Sequence, residues 1–110
     1  MSQVTTHVLD TALGRPAAGV AVTLDAHDDG AWLPLAAGVT DRDGRIADLG
    51  PGAVPPGRYR LTFDTGAYFR ATGQRGFHPE VVVVFEVADD DHHHVPLLLS
   101  PFAYSTYRGS

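Results

Sequence analysis

The sequence predicts an all-β fold, a sandwich of antiparallel strands. Three observations carry that prediction. Short segments rich in β-branched and aromatic residues recur along the chain, most of them alternating in polarity. Gly, Pro and Asp-Gly clusters separate them, residue types that turn the backbone. Only one segment, Thr65 to Gly73, can hold a helix, and no repeat or low-complexity stretch interrupts the pattern. Many short strands joined by such turns make a sandwich, with about eight strands expected here.

Val4-Thr5-Thr6-His7-Val8-Leu9-Asp10 alternates, placing Val4, Thr6 and Val8 on one face and Thr5, His7 and Leu9 on the other. Asp10 to Ala18 carries Gly14 and Pro16 without apolar periodicity and reads as a loop. Gly19 to Ala26 is a second strand, with Val20, Val22 and Leu24 on one face, and Asp28-Asp29-Gly30 turns the chain. Ala31 to Thr40 is a third strand, which Pro34 marks as an edge or a bulge. Asp41-Arg42-Asp43-Gly44 is a turn leading into a short strand at Arg45-Ile46, and residues 50–57 form a Pro/Gly loop. Arg58 to Asp64 alternates as a strand. The helix of Thr65 to Gly73 should end on Gly73 as its C-terminal cap. Pro79 to Val87 is the strongest β signal and reads as a continuous buried run. Asp89-Asp90-Asp91 is a solvated turn. His93 to Leu99 and Ala103 to Tyr107 are the last strands, broken by Ser100-Pro101.

Composition narrows the function. One domain spanning residues 1–110 is expected, and 44% apolar residues suffice for a core. A chain this small has an unfavourable surface-to-volume ratio, so self-association is a natural supplement. Cysteine is absent, which removes disulfides, thiolate metal sites and cysteine nucleophiles together. The net charge is −5, and the eight basic residues, all Arg, are scattered, so a nucleic-acid footprint is missing. No apolar run approaches the ~20 residues that span a bilayer. Met1 to Thr6 has neither a basic nor an apolar leader region, so a cytoplasmic location is expected.

Histidine carries the chemistry. Imidazole transfers protons near neutral pH, and six are present. In the run His92-His93-His94, alternate residues share a strand face, so His92 and His94 pair and His93 does not. Two imidazoles could hold zinc with a third ligand, but neither a cysteine nor a carboxylate partner is indicated, and no metal or cofactor is assigned. Arg45, just after the Asp43-Gly44 turn, is either a surface arginine or a fixed bidentate donor. At the end, Ser110 carries a hydroxyl and the α-carboxylate, and Gly109 permits close backbone approach. No nucleophile-elbow motif surrounds Ser110, so a serine triad is disfavoured.

Several stretches together resemble the transthyretin-like family. They are Thr6-His7-Val8-Leu9-Asp10, Gly14-Arg15-Pro16-Ala17, Thr40-Asp41-Arg42-Asp43-Gly44-Arg45, Pro96-Leu97-Leu98-Leu99-Ser100-Pro101-Phe102 and Tyr107-Arg108-Gly109-Ser110. The enzymatic branch of that family is the 5-hydroxyisourate hydrolases of urate degradation. The resemblance covers essentially the whole chain. Its most specific motif is the terminal tetrapeptide, which marks the hydrolases and is missing from the thyroid-hormone carriers.

The resemblance implies a sandwich of two four-stranded sheets with one short helix, and a homotetramer, a dimer of dimers, with active sites in the channel between dimers. It also implies hydrolysis of 5-hydroxyisourate to 2-oxo-4-hydroxy-4-carboxy-5-ureidoimidazoline, by water attack on a ring carbonyl and opening of the cyclic amide. The family's catalytic residues fall on His7, Arg45 and His94, and its substrate-binding tail on Tyr107, Arg108, Gly109 and Ser110. The family often has an aromatic residue between two histidines before Val-Pro. Here that position is His93, so the catalytic histidine of the run is less obvious, and His92, His93 and His78 receive no role. Two other readings stay open: a non-catalytic carrier of an aromatic small molecule in a central channel, and a structural or adhesive sandwich.

Overall fold

The computed structural model describes residues 2–110, which fold into two sheets packed face to face. The first sheet runs β2 (Arg15–Pro16), β1 (Val4–Asp10), β7 (His93–Ser100), β8 (Ala103–Thr106). The second runs β4 (Ala31–Val39), β3 (Ala21–Asp28), β5 (Gly57–Phe63), β6 (Val81–Val87). One helix, α1 (Thr65–Ala71), follows β5. The two four-stranded sheets and the single short helix match the fold that the resemblance implied.

Alternation builds the core. Val4 and Val8 of β1 and Val95, Leu97 and Leu99 of β7 point inward and are buried. They meet Val22 and Leu24 of β3, Leu61 and Phe63 of β5, and Val81 and Val87 of β6. Each such side chain removed from water contributes about 1.5–3 kcal/mol. The complementary residues, Thr5, His7 and His94 among them, therefore face outward from the first sheet.

Four details differ from expectation. First, β1 and β7 run parallel, with Thr5 opposite His94 and His7 opposite Pro96, so the sandwich is not wholly antiparallel. They come from opposite ends of the chain and need no tight turn between them, so nothing forces antiparallel pairing. Second, the segment Asp10 to Ala18 contains a two-residue strand, β2, paired with the end of β1. Third, Arg45 forms only an isolated bridge to His7 instead of starting a strand. Fourth, β6 is not a continuous buried run. It lies at a sheet edge and the sandwich covers one face of it, so Val82 and Val84 are 41% and 54% exposed.

Other expectations hold. β4 is an edge strand, and its register with β3 shifts between Leu24 and Asp25, next to Pro34. That places a proline, which cannot donate to a ladder, where none is needed. The helix is capped by the Asp64 carboxylate, which accepts from Ala67 N, and its C-cap is Thr72, one residue before Gly73. It clips the two sheets together. The Tyr68 hydroxyl donates to buried Asp10 Oδ2 (2.6 Å), and Gln74 Nε2 donates to the same oxygen (3.0 Å). Among the described residues no helix is long and apolar enough to cross a membrane.

Candidate active site

The candidate site lies on the outer face of the first sheet, at the junction of β1, β7, the Asp41–Arg45 turn and the C-terminus. Parallel pairing of β1 with β7 is what assembles it, because it sets His94 beside Thr5, with His7 two residues along β1 and diagonal to His94. Period 2 then puts all three side chains on one face, and the His92 ring stacks on that of His94 from just before β7.

The turn is fixed by its own sequence. The Asp41 carboxylate accepts from the backbone N–H of Asp43 (2.8 Å) and of Arg45 (3.1 Å). Those bonds, that from Arg45 foremost, hold the Asp41 carboxyl below the ordinary carboxylate range. Gly44 has φ +76°, and a Cβ there would lie 2.3 Å from the Val8 carbonyl oxygen, so only glycine lets the turn press this closely on β1. Val8 N–H donates to the Gly44 carbonyl (2.8 Å), and His7 Nε2 lies 2.8 Å from the Asp43 carbonyl. A carbonyl can only accept, so His7 Nε2 carries a proton, and in the neutral ring Nδ1 holds the lone pair. The turn thereby carries Arg45 to the side of His7.

His94 is gripped from two sides. Its Nδ1 is 2.8 Å from Thr5 Oγ1. Across the ring runs the tail: Gly109 N–H donates to the His94 carbonyl (2.8 Å). A Cβ on Gly109 would stand 2.5 Å from His94 Cδ2. Burial lowers the His94 pKa, and the charges of Arg45, His92 and His7 lower it further, so this ring favours its neutral, proton-accepting form.

A cleft of about 340 Å³ opens over this junction, with Thr5, Arg45, His92, His94 and Ser110 in its walls. Its size suits a small polar heterocycle. The predicted residues are therefore divided. His94, Arg45 and Ser110 share the cleft, Gly109 packs on the His94 ring, and His7 sits beside the cleft on the Asp43 carbonyl. Tyr107 and Arg108 instead line a second, more apolar cleft of about 220 Å³ with Val83, Phe85 and His93, which meets the first only at His94.

His93 is buried, and its Nδ1 donates to the Asp91 carbonyl (2.6 Å), a structural bond at the start of β7. His78 stands edge-on between Phe77 and Tyr104, at 5.0 Å from each ring, away from the cleft. Among the described residues no cluster of three or more His, Asp or Glu side chains could hold a metal ion. Sequence reasoning missed Thr5. Its only signal was the alternation that put it on the face of His7, since a threonine in a strand is otherwise ordinary.

Known proteins resemble this chain in sequence and in fold. The family model described as the HIUase/Transthyretin family matches residues 4–109. A protein of Salmonella dublin named 5-hydroxyisourate hydrolase is 49% identical over 106 residues, covering 94% of this chain and 78% of its own. The solved structure of Klebsiella pneumoniae 5-hydroxyisourate hydrolase superposes with a TM-score of 0.89 at 41% identity, over 100% of both chains. Sea bream transthyretin in complex with thyroxine superposes with a TM-score of 0.91 at 38% identity, over 97% of this chain and 94% of that one. The chain is a member of the HIUase/Transthyretin family.

Proposed function

We propose that this protein hydrolyses 5-hydroxyisourate in urate degradation, and that its 110 residues act as one hydrolase domain. The observation that carries the reading is the meeting of His94, Arg45 and Ser110 in one cleft with His7 beside it. Nearly half of the residues are shared with a protein named for that activity.

The reaction needs a base for water, a counter-charge for the developing oxyanion and a proton for the leaving nitrogen. His94, held neutral by its surroundings, takes a proton from water at Nε2. The resulting hydroxide adds to a ring carbonyl. Arg45 binds the planar ring through its guanidinium fork and stabilises the negative oxygen, the kind of contribution that often dominates such catalysis. The carbon–nitrogen bond breaks as His7, whose Nε2–H stays on the Asp43 carbonyl, passes a proton taken up from solvent at Nδ1 to the departing nitrogen, and the ring opens to a carboxylate. Ser110 offers its hydroxyl to the polar edge of the substrate. Tyr107 and Arg108 act one step away, holding the tail that bears Gly109 and Ser110.

We further propose that the chain works as a homotetramer in the cytoplasm. Exposed Val82 and Val84 on the edge strand β6, with Phe102 at 70% exposure, give apolar surface suited to burial against further copies. A second reading, a carrier of an aromatic ligand, is favoured by the likeness to transthyretin in complex with thyroxine. A carrier has no use for a histidine clamped between Thr5 and the Gly109 backbone. Kinetics separate the two: His7→Ala, Arg45→Ala and His94→Ala should each slow hydrolysis by about 10²-fold or more. Near-normal activity in all three would leave the carrier ahead.

A further inference from the structure

We infer that the Thr5 hydroxyl joins His94 to His92 in a proton relay, which makes Thr5 and His92 positioning residues of the site. The inference rests on the hydrolase reading above and deepens it.

Thr5 Oγ1 lies 2.7 Å from His92 Nε2 and 2.8 Å from His94 Nδ1. Parallel register sets Thr5 opposite His94, and His92, immediately before β7, turns its ring to the same side. The two rings stack with centroids 6.1 Å apart and planes 27° apart, which leaves room for one hydroxyl to span both.

A threonine hydroxyl has one proton and two lone pairs. It cannot donate to both rings, so at least one facing ring nitrogen must itself carry a proton. The arrangement that leaves His94 Nε2 bare has His94 Nδ1–H donating to Oγ1 and Oγ1–H donating to His92 Nε2. This is the arrangement a base needs. When His94 Nε2 then accepts a proton from water, its Nδ1 proton moves to Oγ1 and the Oγ1 proton moves to His92 Nε2. The threonine again holds one proton but now donates it to His94 Nδ1. His94 is neutral with its proton on Nε2, and the positive charge sits on His92, which releases a proton to solvent. When His94 gives up its Nε2 proton to solvent as product leaves, the chain runs back, with His92 taking a proton from solvent.

Electrostatics favour that direction. His94 is half-buried and sits in the fields of Arg45 and His7, whereas His92 is exposed to water. Moving the charge outward by one hydroxyl exchanges a poorly solvated imidazolium beside an arginine for a solvated one. The relay also explains why His92, outside the residues the resemblance implied as catalytic, stands in the wall of the cleft.

The test uses Thr5→Val, Thr5→Ser, His92→Gln and the double variant Thr5→Val/His92→Gln in the intact protein. The readouts are steady-state turnover of 5-hydroxyisourate and ¹⁵N spectra of the histidine rings without substrate. The relay predicts that Thr5→Val and His92→Gln each lower kcat by about 10- to 100-fold with little change in KM. Thr5→Ser should recover most of the loss, and the double variant should be no slower than the worse single one. The ring spectra of Thr5→Val should show His94 losing its fixed tautomer, while Thr5→Ser keeps it. Wild-type turnover in Thr5→Val, multiplicative losses in the double variant, or a serine as slow as the valine would each overturn the relay. A wild-type protein that fails to accelerate substrate decay overturns the hydrolase reading instead. The ring spectra then judge the hydrogen-bonded chain alone, and unchanged His94 tautomers in Thr5→Val would overturn it.

Discussion

Gly109→Ala adds one methyl group at the most tightly built contact of the site. The backbone of Gly109 is not in the left-handed region, so alanine is allowed there and only packing is perturbed. The new Cβ would lie 2.5 Å from His94 Cδ2, 3.2 Å from His94 Cγ and 3.2 Å from Pro96 Cγ. Carbon atoms prefer to sit about 3.5–4.0 Å apart, so ring and tail must separate by about 1 Å. The ring cannot simply swing aside, because Thr5 holds Nδ1 from the other edge. Either His94 leaves its bond to Thr5 or the tail lifts and carries Ser110 out of the cleft. A misplacement of about 1 Å in such a site costs about 10²-fold in rate, which is about 2.7 kcal/mol of barrier. Stability should fall by only about 1 kcal/mol, the worth of the one backbone bond between Gly109 and His94. The assay is ultraviolet decay of 5-hydroxyisourate made in situ by urate oxidase, with thermal unfolding alongside. If Gly109→Ala turns over within twofold of the wild type, the clamp on His94 is not part of the mechanism.

Other perturbations separate the remaining parts. The acidic limb of kcat/KM should fall below the ordinary imidazole value of about 6.5, because burial and then Arg45 hold His94 neutral. In Arg45→Met, with part of that depression removed, the limb should move to higher pH, as a pH–rate profile would reveal. Deleting Ser110 should lower kcat/KM by about tenfold or more with assembly unchanged by size-exclusion chromatography, since it removes a wall of the cleft. Asp10→Ala should destabilise by about 3 kcal/mol, because it strands the buried Tyr68 hydroxyl and removes a charged acceptor, and denaturant unfolding measures this. Burial alone would raise the Asp10 pKa, but bonds from Tyr68, Leu13, Gln74 and Ala12 outweigh it and the net shift is downward. The corresponding stability is present above the unfolded carboxylate value and disappears as pH falls through the lowered folded one. Acid unfolding of Asp10→Asn should accordingly be less steep than that of the wild type.

How much of this was legible in the sequence depends on the range of the interactions. Alternation is local, so it correctly separated His92 and His94 from His93 and set Thr5 beside His7. Turn chemistry is local too, and it correctly placed the Asp41–Gly44 turn and the end of the helix. The parallel pairing of β1 with β7 is not local. It joins residues from opposite ends of the chain through packing that no periodicity reports, and the site depends on it. The run Val81 to Val84 misled because apolar composition says nothing about whether a strand is central or at an edge. Ser110 and Gly109 were legible only through likeness to a family. The contact that gives Gly109 its meaning, its backbone against the His94 ring, exists only after β7 and β8 fold back on each other. Thr5 was missed because a hydroxyl between two rings is a property of the register between strands.

The most direct test of the central claim is the rate at which freshly generated 5-hydroxyisourate disappears, followed by ultraviolet absorbance with wild-type protein and with His94→Ala. The structure predicts that catalytic amounts of the wild type accelerate the decay many-fold, and that His94→Ala removes about 10²-fold or more of that acceleration while staying folded. Decay that is the same with and without the wild-type protein would contradict the account.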